Sequence, residues 1–280
     1  MLPRPPPIKK WPLKIRLTAA ALLLTTSFLV VGMQSARTGQ PRFVALDIGQ
    51  GDALYIRTPA GQDILIDGGP SKKTTSVLKS FMPPGDKKID AVIATHLDAD
   101  HSGGLAQVLQ DFEVAAVITN GAEPKTKTAQ AFFEAIRAEG LEPRVVSRGQ
   151  RLAGQGWTAE VVWPAAAISS KETNEEGIVV RLKTGRETLL LTSDISSRIE
   201  QKLLEQHTPL RSSILKVGHH GSKTSTSENL IRSVRPRDAV ISVGKGNRYG
   251  HPTSEVLERL RAQSIDTIRT DESGSIVINL

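Results

Sequence analysis

Thr95-His96-Leu97-Asp98-Ala99-Asp100-His101-Ser102-Gly103-Gly104 holds four potential metal ligands, at positions 96, 98, 100 and 101. It follows the apolar run 91–94, which predicts a short buried strand, and residues 102–105 predict the start of a helix. These ligands stand at every second position and then at two adjacent positions, directly after a strand. Ligands spaced in this way can converge from one loop on two neighbouring cations. The stretch therefore predicts a site for two metal ions, since an ordinary surface turn would carry this pattern only by accident.

The composition limits the class of protein. The chain has 280 residues and no cysteine, which excludes disulfides and thiolate metal ligands. Its formal net charge is +7, yet five of its 36 basic residues precede an N-terminal apolar run and all 29 acidic residues follow that run. The rest of the chain is close to neutral, so nucleic-acid binding would require a local basic patch.

The N-terminus predicts a membrane anchor. Residues 17–33 are apolar apart from threonine and serine, about the minimum length for a membrane-spanning helix, and a basic, proline-rich head precedes them. That flank predicts a cytoplasmic N-terminus and an extracytoplasmic domain. The alternative is a signal peptide cleaved after Ala36, giving a secreted protein, but Gln34-Ser35-Ala36 places glutamine where cleavage prefers a small residue. We predict a head and anchor at 1–36, a linker at 37–41 and a globular domain at 42–280.

The globular part alternates predicted strands and helices. The strands are expected at residues 43–48, 53–57, 63–67, 91–94, 114–119, 158–163, 178–183, 188–192, 214–217 and 239–243. The helices are expected at residues 72–80, 102–110, 129–139, 197–205, 228–233 and 254–263, with a final hairpin ending at Leu280. This order predicts two sheets packed face to face under outer helices, with the strand ends on a shared rim.

Further potential ligands stand where other predicted strands end. Asp67 and Asp194 each end one strand, and the pair His219 and His220 ends a third. A carboxylate such as Asp194 can bridge two cations about 3.5–4 Å apart, which hold a bridging hydroxide and clamp the attacking and leaving oxygens of a phosphoryl or acyl transfer. The rim therefore predicts a hydrolytic centre.

Residues 42–280 resemble the metallo-β-lactamase-fold domain of the ComEC-type competence, or DNA-uptake, proteins. The matching motifs are residues 46–52, 65–69, 96–104, 189–195, 215–222, 247–252 and 269–271. The resemblance implies an α/β (α+β) fold, the αββα metallo-β-lactamase sandwich, with two divalent metal ions on its edge. It also implies a hydrolase that cuts nucleic-acid phosphodiesters outside the membrane. Together with the membrane anchor predicted from the N-terminus, it makes DNA the expected substrate and a DNA-uptake channel a possible partner.

The resemblance also assigns metal ligands. It implies His96 and Asp98 for the first ion, Asp100 and His101 for the second, Asp194 for both, and either His219 or His220 to complete the second site. Asp67 is expected to support them. The superfamily usually has histidine at position 98, and it expects another where this chain has Asn174, whose amide oxygen could substitute. Oxygen donors favour a harder ion, so Mn²⁺ is expected beside Zn²⁺.

The remaining polar residues of the rim suggest catalysis and substrate binding. Asp100 and His251 are the predicted catalytic residues; His251 could donate a proton to the leaving oxygen or bind phosphate, or it could be structural. Ser222 and Lys223, near a predicted helix start, are expected to contact phosphate. Asn247 is expected to bind substrate.

Three functions remain open from the sequence. The leading prediction is a membrane-anchored, metal-dependent phosphodiesterase, specifically a DNase of natural competence. A phosphoester hydrolase that acts on cell-wall or lipid head-groups is the alternative within the enzymes. The alternative outside them is a module that binds DNA or a protein partner without cutting, in which Asn174 has disabled the metal site.

Overall fold

The computed structural model describes residues 39–166 and 174–280. The predicted membrane anchor at residues 17–33 lies outside these ranges. Within them, every helix is too short or too polar to cross a membrane.

Sixteen strands are present in the described ranges, most of them short. In chain order they are Arg42–Ala45 (β1), Leu54–Arg57 (β2), Asp63–Ile66 (β3), Lys88–Ile89 (β4), Ala91–Ile93 (β5), Glu113–Val114 (β6), Val117–Thr119 (β7), Arg144–Val145 (β8), Arg151–Gly154 (β9), Trp157–Trp163 (β10), Val179–Thr184 (β11), Glu187–Leu191 (β12), Ile214–Lys216 (β13), Asp238–Ile241 (β14), Asp266–Arg269 (β15) and Ile276–Asn279 (β16). The α-helices are Lys73–Phe81 (α1), Ala99–Ser102 (α2), Leu105–Asp111 (α3), Lys127–Ala138 (α4), Ser197–Glu205 (α5), Glu228–Val234 (α6), Ser254–Ala262 (α7) and Thr270–Ser273 (α8).

Two seven-stranded sheets carry the fold. The first has the order β16-β1-β2-β3-β5-β7-β8 and the second the order β15-β14-β13-β12-β11-β10-β9. Each sheet is antiparallel in one half and parallel in the other, the parallel strands being β3, β5, β7 and β8 in the first and β12 to β15 in the second. Strands β4 and β6 form a separate parallel pair.

Alternation along the strands explains how the layers pack. In β1, Phe43 and Ala45 face the core between the sheets, while Val44 faces the opposite side, because successive strand side chains point to opposite faces. The outer face of the first sheet packs against α1, α3 and α4. The second sheet is covered by α5, α6 and α7. The predicted two-sheet αββα sandwich is therefore confirmed, and Trp157 and Trp163 are buried as core residues.

Two local predictions are wrong. The last two strands form no hairpin, because β15 pairs with β14 in the second sheet and β16 pairs with β1 in the first. Helix α8 and Gly274, whose φ is 70°, carry the chain from one sheet to the other. The helix expected at residues 102–110 is divided in two, α2 at Ala99–Ser102 and α3 at Leu105–Asp111. The first of them begins inside the ligand loop, where the carbonyl of the extended Asp98 accepts from the N–H groups of His101 and Ser102.

Candidate active site

The predicted ligands meet at one edge of the sandwich. Asp67 follows β3 and His96 follows β5 in the first sheet, and Asp194, His220 and His251 follow β12, β13 and β14 in the second. These strands lie in the parallel halves, whose carboxyl ends share an edge. The topology thereby brings together groups that are far apart in the sequence.

Close backbone packing fixes the ligand loop. The N–H of Asp52 donates to the carbonyl of Asp100 at 3.1 Å, and a side chain on Gly51 would collide with the same carbonyl. Likewise, Gly104 passes so close to the carbonyl of Gly68 that a Cβ has no room. The two glycine turns after β1 and β3 therefore clamp the loop against the sheet.

One cluster of four side chains has the geometry of a metal site. Asp194 Oδ2 lies 3.3 Å from His101 Nε2 and 3.4 Å from His220 Nε2, and Asp100 Oδ2 lies 3.4 Å from the same nitrogen of His220. The ligand atoms of all four lie within 4.8 Å of one another. Of the pair left open by the sequence, His220 is thus the residue inside the cluster.

His96 and Asp98 lie beside this cluster. His96 is fully buried, its ring centre is 4.0 Å from that of His101, and its Nε2 lies 3.9 Å from Asp98 Oδ2. Asp98 is partly exposed at the mouth of the cleft. A second cation could therefore sit next to the first. Asn174 begins a short 3₁₀ turn, Asn174–Glu176, but its side chain lies outside the described part of the structure.

All three buried histidines present the same nitrogen to the cleft. The Nδ1 of His101 donates to Asp67 Oδ2 at 2.8 Å, and the Nδ1 of His220 donates to the carbonyl of Ser242 at 2.9 Å. The Nδ1 of His96 contacts the hydroxyl of Thr95 at 3.1 Å. Because a carboxylate or carbonyl only accepts, the proton of His101 and of His220 is fixed on Nδ1, and the Nε2 lone pair of each is left for a ligand.

The residues fit a divalent cation. Among the described residues, the Nε2 atoms of His96, His101 and His220 and the Oδ1 of Asp194 are buried and accept or donate no hydrogen bond. Buried polar atoms without partners are costly, and bound ions are one way in which proteins satisfy them. Imidazole nitrogen together with carboxylate oxygen suits Zn²⁺ and Mn²⁺.

The charges of the cluster balance one another. Burial opposes a charge on His101, but Asp194 and Asp67 outweigh it and raise the pKa of His101 well above 6.5. Against the same burial, Asp194 and Asp52 raise the pKa of His220 well above 6.5. Burial also disfavours charge on Asp194, yet the two histidines hold the pKa of this carboxyl well below 3.8. A divalent cation would replace these protons, because metal ligands bind in their deprotonated form.

Strained backbone accompanies the site. Positive φ angles occur at four residues around the cluster, namely Asp67 (59°), Ser193 (49°), His219 (48°) and His220 (53°). Such angles are uncommon outside glycine and cost about 1–3 kcal/mol each, so they persist where the surroundings enforce them. The two adjacent histidines differ in exposure, since the side chain of His219 is 31% exposed and that of His220 only 2%.

A buried ion pair behind His220 was not predicted. Lys216 is completely buried, and its Nζ lies 2.7 Å from Asp52 Oδ2. Asp52 Oδ1 lies 3.4 Å from His220 Nδ1, so this pair supports the ring from behind. The signal was available in Ile214-Leu215-Lys216-Val217, where one lysine interrupts an apolar strand.

His219 and His251 face the open side of the site. His219 Nε2 lies 3.7 Å from Asp194 Oδ2, farther than that of His220, and its ring meets the ring of His251 edge-on at 5.8 Å. Burial lowers the pKa of His251, and the neighbouring histidines lower it further. The cleft has a volume of about 200 Å³. Its lining residues are Gln50, Asp98, Asp100, Asp194, His219, His220, Tyr249 and His251.

The three residues expected to bind substrate lie differently. The Asn247 side chain bonds to the backbone of its own loop, including the N–H and the carbonyl of His251. Ser222 is buried and contacts Thr224, while Lys223 is exposed, and neither lines the cleft. The helix expected to start there begins only at Glu228, because residues 218–221 form a turn with positive φ angles at His219 and His220, and Ser222 continues it in extended conformation. The contacts of these three residues with substrate stay predictions.

Comparison with known proteins agrees with the motifs. The model of the metallo-beta-lactamase superfamily matches residues 46–245. ComE operon protein 3 of Bacillus subtilis (strain 168) is 35% identical over an alignment of 251 residues that covers 82% of this chain and 32% of that protein. Competence protein ComA of Neisseria gonorrhoeae is 30% identical over an alignment of 288 residues that covers 100% of this chain and 37% of that protein. The chain spans about a third of the length of these curated relatives.

A solved structure shares the fold. The metallo-beta-lactamase fold protein YhfI from Bacillus subtilis superposes with a TM-score of 0.56 at 14% identity, covering 85% of this chain and 100% of that one. The resemblance predicted from the motifs is thus confirmed. This chain belongs to the metallo-β-lactamase superfamily, and its relatives in sequence include competence protein ComA.

Proposed function

We propose that this protein is a metal-dependent phosphodiesterase that cuts DNA. The observation that carries the proposal is the set of buried Nε2 atoms of His96, His101 and His220, which are left without hydrogen bonds among the described residues. Those of His101 and His220 lie 3.3 and 3.4 Å from the Asp194 carboxylate. A site that only stabilised the fold would have paired these atoms.

Two divalent cations are proposed to bind at this edge. One would be held by Asp100, His101 and His220, the other by His96 and Asp98, with Asp194 between them. When bound, such ions polarise a phosphoryl group and make water a nucleophile at neutral pH. The protein's own contribution is rigid placement, because Asp67 and the carbonyl of Ser242 fix the rings.

His251 is proposed to act on the leaving oxygen. Its ring lies at the open side of the cleft, in contact with His219, and its Nδ1 is buried without a hydrogen bond in the described structure. A histidine whose pKa is lowered is a stronger acid when protonated, which suits proton donation to an alkoxide. Within this proposal, His219 contacts substrate rather than metal.

The choice of DNA rests on the relatives. One of the two curated proteins described above is a competence protein and the other is ComE operon protein 3, and this chain aligns with both over most of its own length. We infer a role in DNA uptake, with the catalytic domain outside the membrane, held by an N-terminal helix and working beside a DNA-uptake channel. If the N-terminal segment is cleaved, the domain would be secreted.

A cleavage assay tests the proposal. The full chain is incubated with single- and double-stranded DNA and Mn²⁺ or Zn²⁺, next to the double variant His96→Ala, Asp100→Ala. Asp111→Ala, an exposed aspartate paired with Lys79, serves as the matched control. We expect metal-dependent cleavage by the wild type and the control and none by the double variant. Equal activity of all three, or of chelated protein, would contradict the proposal.

The second candidate is a module that binds DNA or a partner without cutting. It is favoured by Asn174 in place of the expected histidine and by the partial exposure of Asp98. It predicts less than one cation per chain and DNA affinity without turnover. A third outcome, hydrolysis of simple phosphodiesters with DNA left intact, would instead favour cell-wall or lipid head-groups as substrate.

A further inference from the structure

An exposed aromatic ring stands at the mouth of the cleft. Tyr249 is 53% exposed and lines the same cleft as the proposed metal ligands. In the described ranges, two other large apolar side chains are comparably exposed, Val145 and Val277, and both lie on the edge strands β8 and β16. The Tyr249 ring is thus open to solvent beside the proposed metal ligands, and packing in the core does not explain its position.

The loop holds this ring in place. Asn247 Oδ1 accepts from the N–H groups of Tyr249 and His251, both at 3.1 Å, and its Nδ2 donates to the carbonyls of Gly244 and His251. The Tyr249 ring stacks on the ring of His251 with an interplanar angle of 24° and a centre-to-centre distance of 5.8 Å. Little conformational freedom is therefore left to lose when a ligand binds.

A chain of rings connects Tyr249 to the ligands. His251 touches His219 edge-on at 5.8 Å, and His219 Nε2 lies 3.7 Å from Asp194. The guanidinium of Arg248 lies 5.1 Å from the centre of the Tyr249 ring and donates to its hydroxyl at 3.1 Å. An aromatic ring of the cleft lining and a neighbouring cation therefore lie two histidine rings away from Asp194, a combination that sites for single-stranded nucleic acids use.

We propose that Tyr249 stacks on a nucleobase next to the phosphate that is cut, and that this selects single-stranded DNA. The inference rests on the proposed function. Bases of a duplex are stacked on each other and are not free to meet a protein ring, whereas every base of a single strand offers a π-face. Arg248 carries a positive charge that can pair with the phosphate next to the stacked base. A purely apolar partner would not need this charge.

The test compares intact with abasic DNA. The full chain with Mn²⁺ is assayed on a fluorescent single strand, on the same strand with abasic sites throughout, and on the duplex. We expect Tyr249→Ala to raise KM on the intact strand by about 5- to 150-fold, the equivalent of about 1–3 kcal/mol, and to leave KM on the abasic strand nearly unchanged. Tyr249→Phe and Tyr249→Trp keep the wild-type KM, and Val145→Ala is the matched control for truncation of an exposed side chain.

Each outcome decides the inference. Equal losses on intact and abasic strands would mean that Tyr249→Ala merely disturbs His251, and would overturn it. A wild type that cuts intact strand, abasic strand and duplex equally well would also overturn it while leaving the proposed function standing. If the wild type cuts no DNA, the proposed function fails, and fluorescence anisotropy decides instead. Tighter binding of the intact than of the abasic strand, lost in Tyr249→Ala, supports base stacking; its absence refutes it.

Discussion

Replacing Asp67 with asparagine tests how the protein keeps His101 ready for a cation. Asp67 accepts three hydrogen bonds, from the Thr95 N–H at 2.7 Å, from the Thr95 hydroxyl at 2.7 Å and from His101 Nδ1 at 2.8 Å. An asparagine has one acceptor oxygen and two N–H donors. If its oxygen stays on the Thr95 N–H, its amide group faces His101 and moves the ring proton to Nε2. If the oxygen faces His101, two N–H donors collide.

Either arrangement disturbs the metal site without emptying it of ligands. Loss of such a supporting carboxylate typically lowers metal affinity 10- to 100-fold, about 1.4–2.8 kcal/mol, and we expect a loss in this range for Asp67→Asn. The mismatched buried bond costs a further ~1–3 kcal/mol of folding stability in the metal-free protein.

Isothermal titration with Mn²⁺ and Zn²⁺ measures the effect, with thermal unfolding of the metal-free chain as the second readout. Asp111→Asn is the matched control, because Asp111 accepts from Gln107 and Lys79 on the surface, away from the site. Wild-type affinity in a folded Asp67→Asn chain would refute the reasoning, since the proton on His101 would then not depend on Asp67.

Three further predictions follow from the same geometry. His220→Ala should remove at least one bound cation per chain and His219→Ala none, as elemental analysis would show; equal losses would contradict the placement of His220 as ligand. Lys216→Met should destabilise the chain by about 3–5 kcal/mol, because it leaves the Asp52 carboxylate buried and unpaired, and adding Asp52→Asn should recover part of that loss in urea unfolding. Although burial opposes it, nearby carboxylates raise the pKa of His101 and His220 well above 6.5. Binding of a metal ion near pH 7 should therefore release protons, and the metal affinity should rise with pH. Calorimetric titrations in two buffers of different ionisation enthalpy that show no proton release would disprove this.

The raised pKa values of His101 and His220 also determine how the stability of the metal-free protein changes with pH. A histidine whose pKa is raised in the folded state stabilises it fully below the unfolded value, and this contribution is lost as the pH rises through the folded pKa. The metal-free chain should therefore be more stable at pH 6 than at alkaline pH, and bound cations should reverse this trend.

Much of the fold was accessible from sequence because its signals are local. Alternating apolar residues predicted β10 and β11, and periodic apolar residues predicted α5 to its ends. Strand pairing is not local, which explains the failure at the C-terminus. Strands β15 and β16 are close in the sequence and so resemble a hairpin, but each is the outermost strand of a different sheet, and a local pattern cannot show this.

The site could be predicted where the residue types alone indicate a metal ligand. Histidines and aspartates at strand ends predicted the cluster, but the sequence left His219 and His220 equivalent. The structure separates them by burial, because His220 is buried 3.4 Å from Asp194 whereas His219 is 31% exposed and 3.7 Å away, a difference that residue type does not show. Lys216 and Asp52 escaped prediction because they are far apart in the chain, and a lysine in a strand is ordinarily exposed.

The claim on which the rest depends is that this edge of the sandwich holds two divalent cations. It is tested most directly by the metal content of the full chain, measured by elemental analysis after growth with Mn²⁺ and Zn²⁺ both available. We predict close to two cations per chain, falling in the Asp194→Ala variant. One cation or fewer in the wild type, or a content unchanged by Asp194→Ala, would contradict the two-cation site.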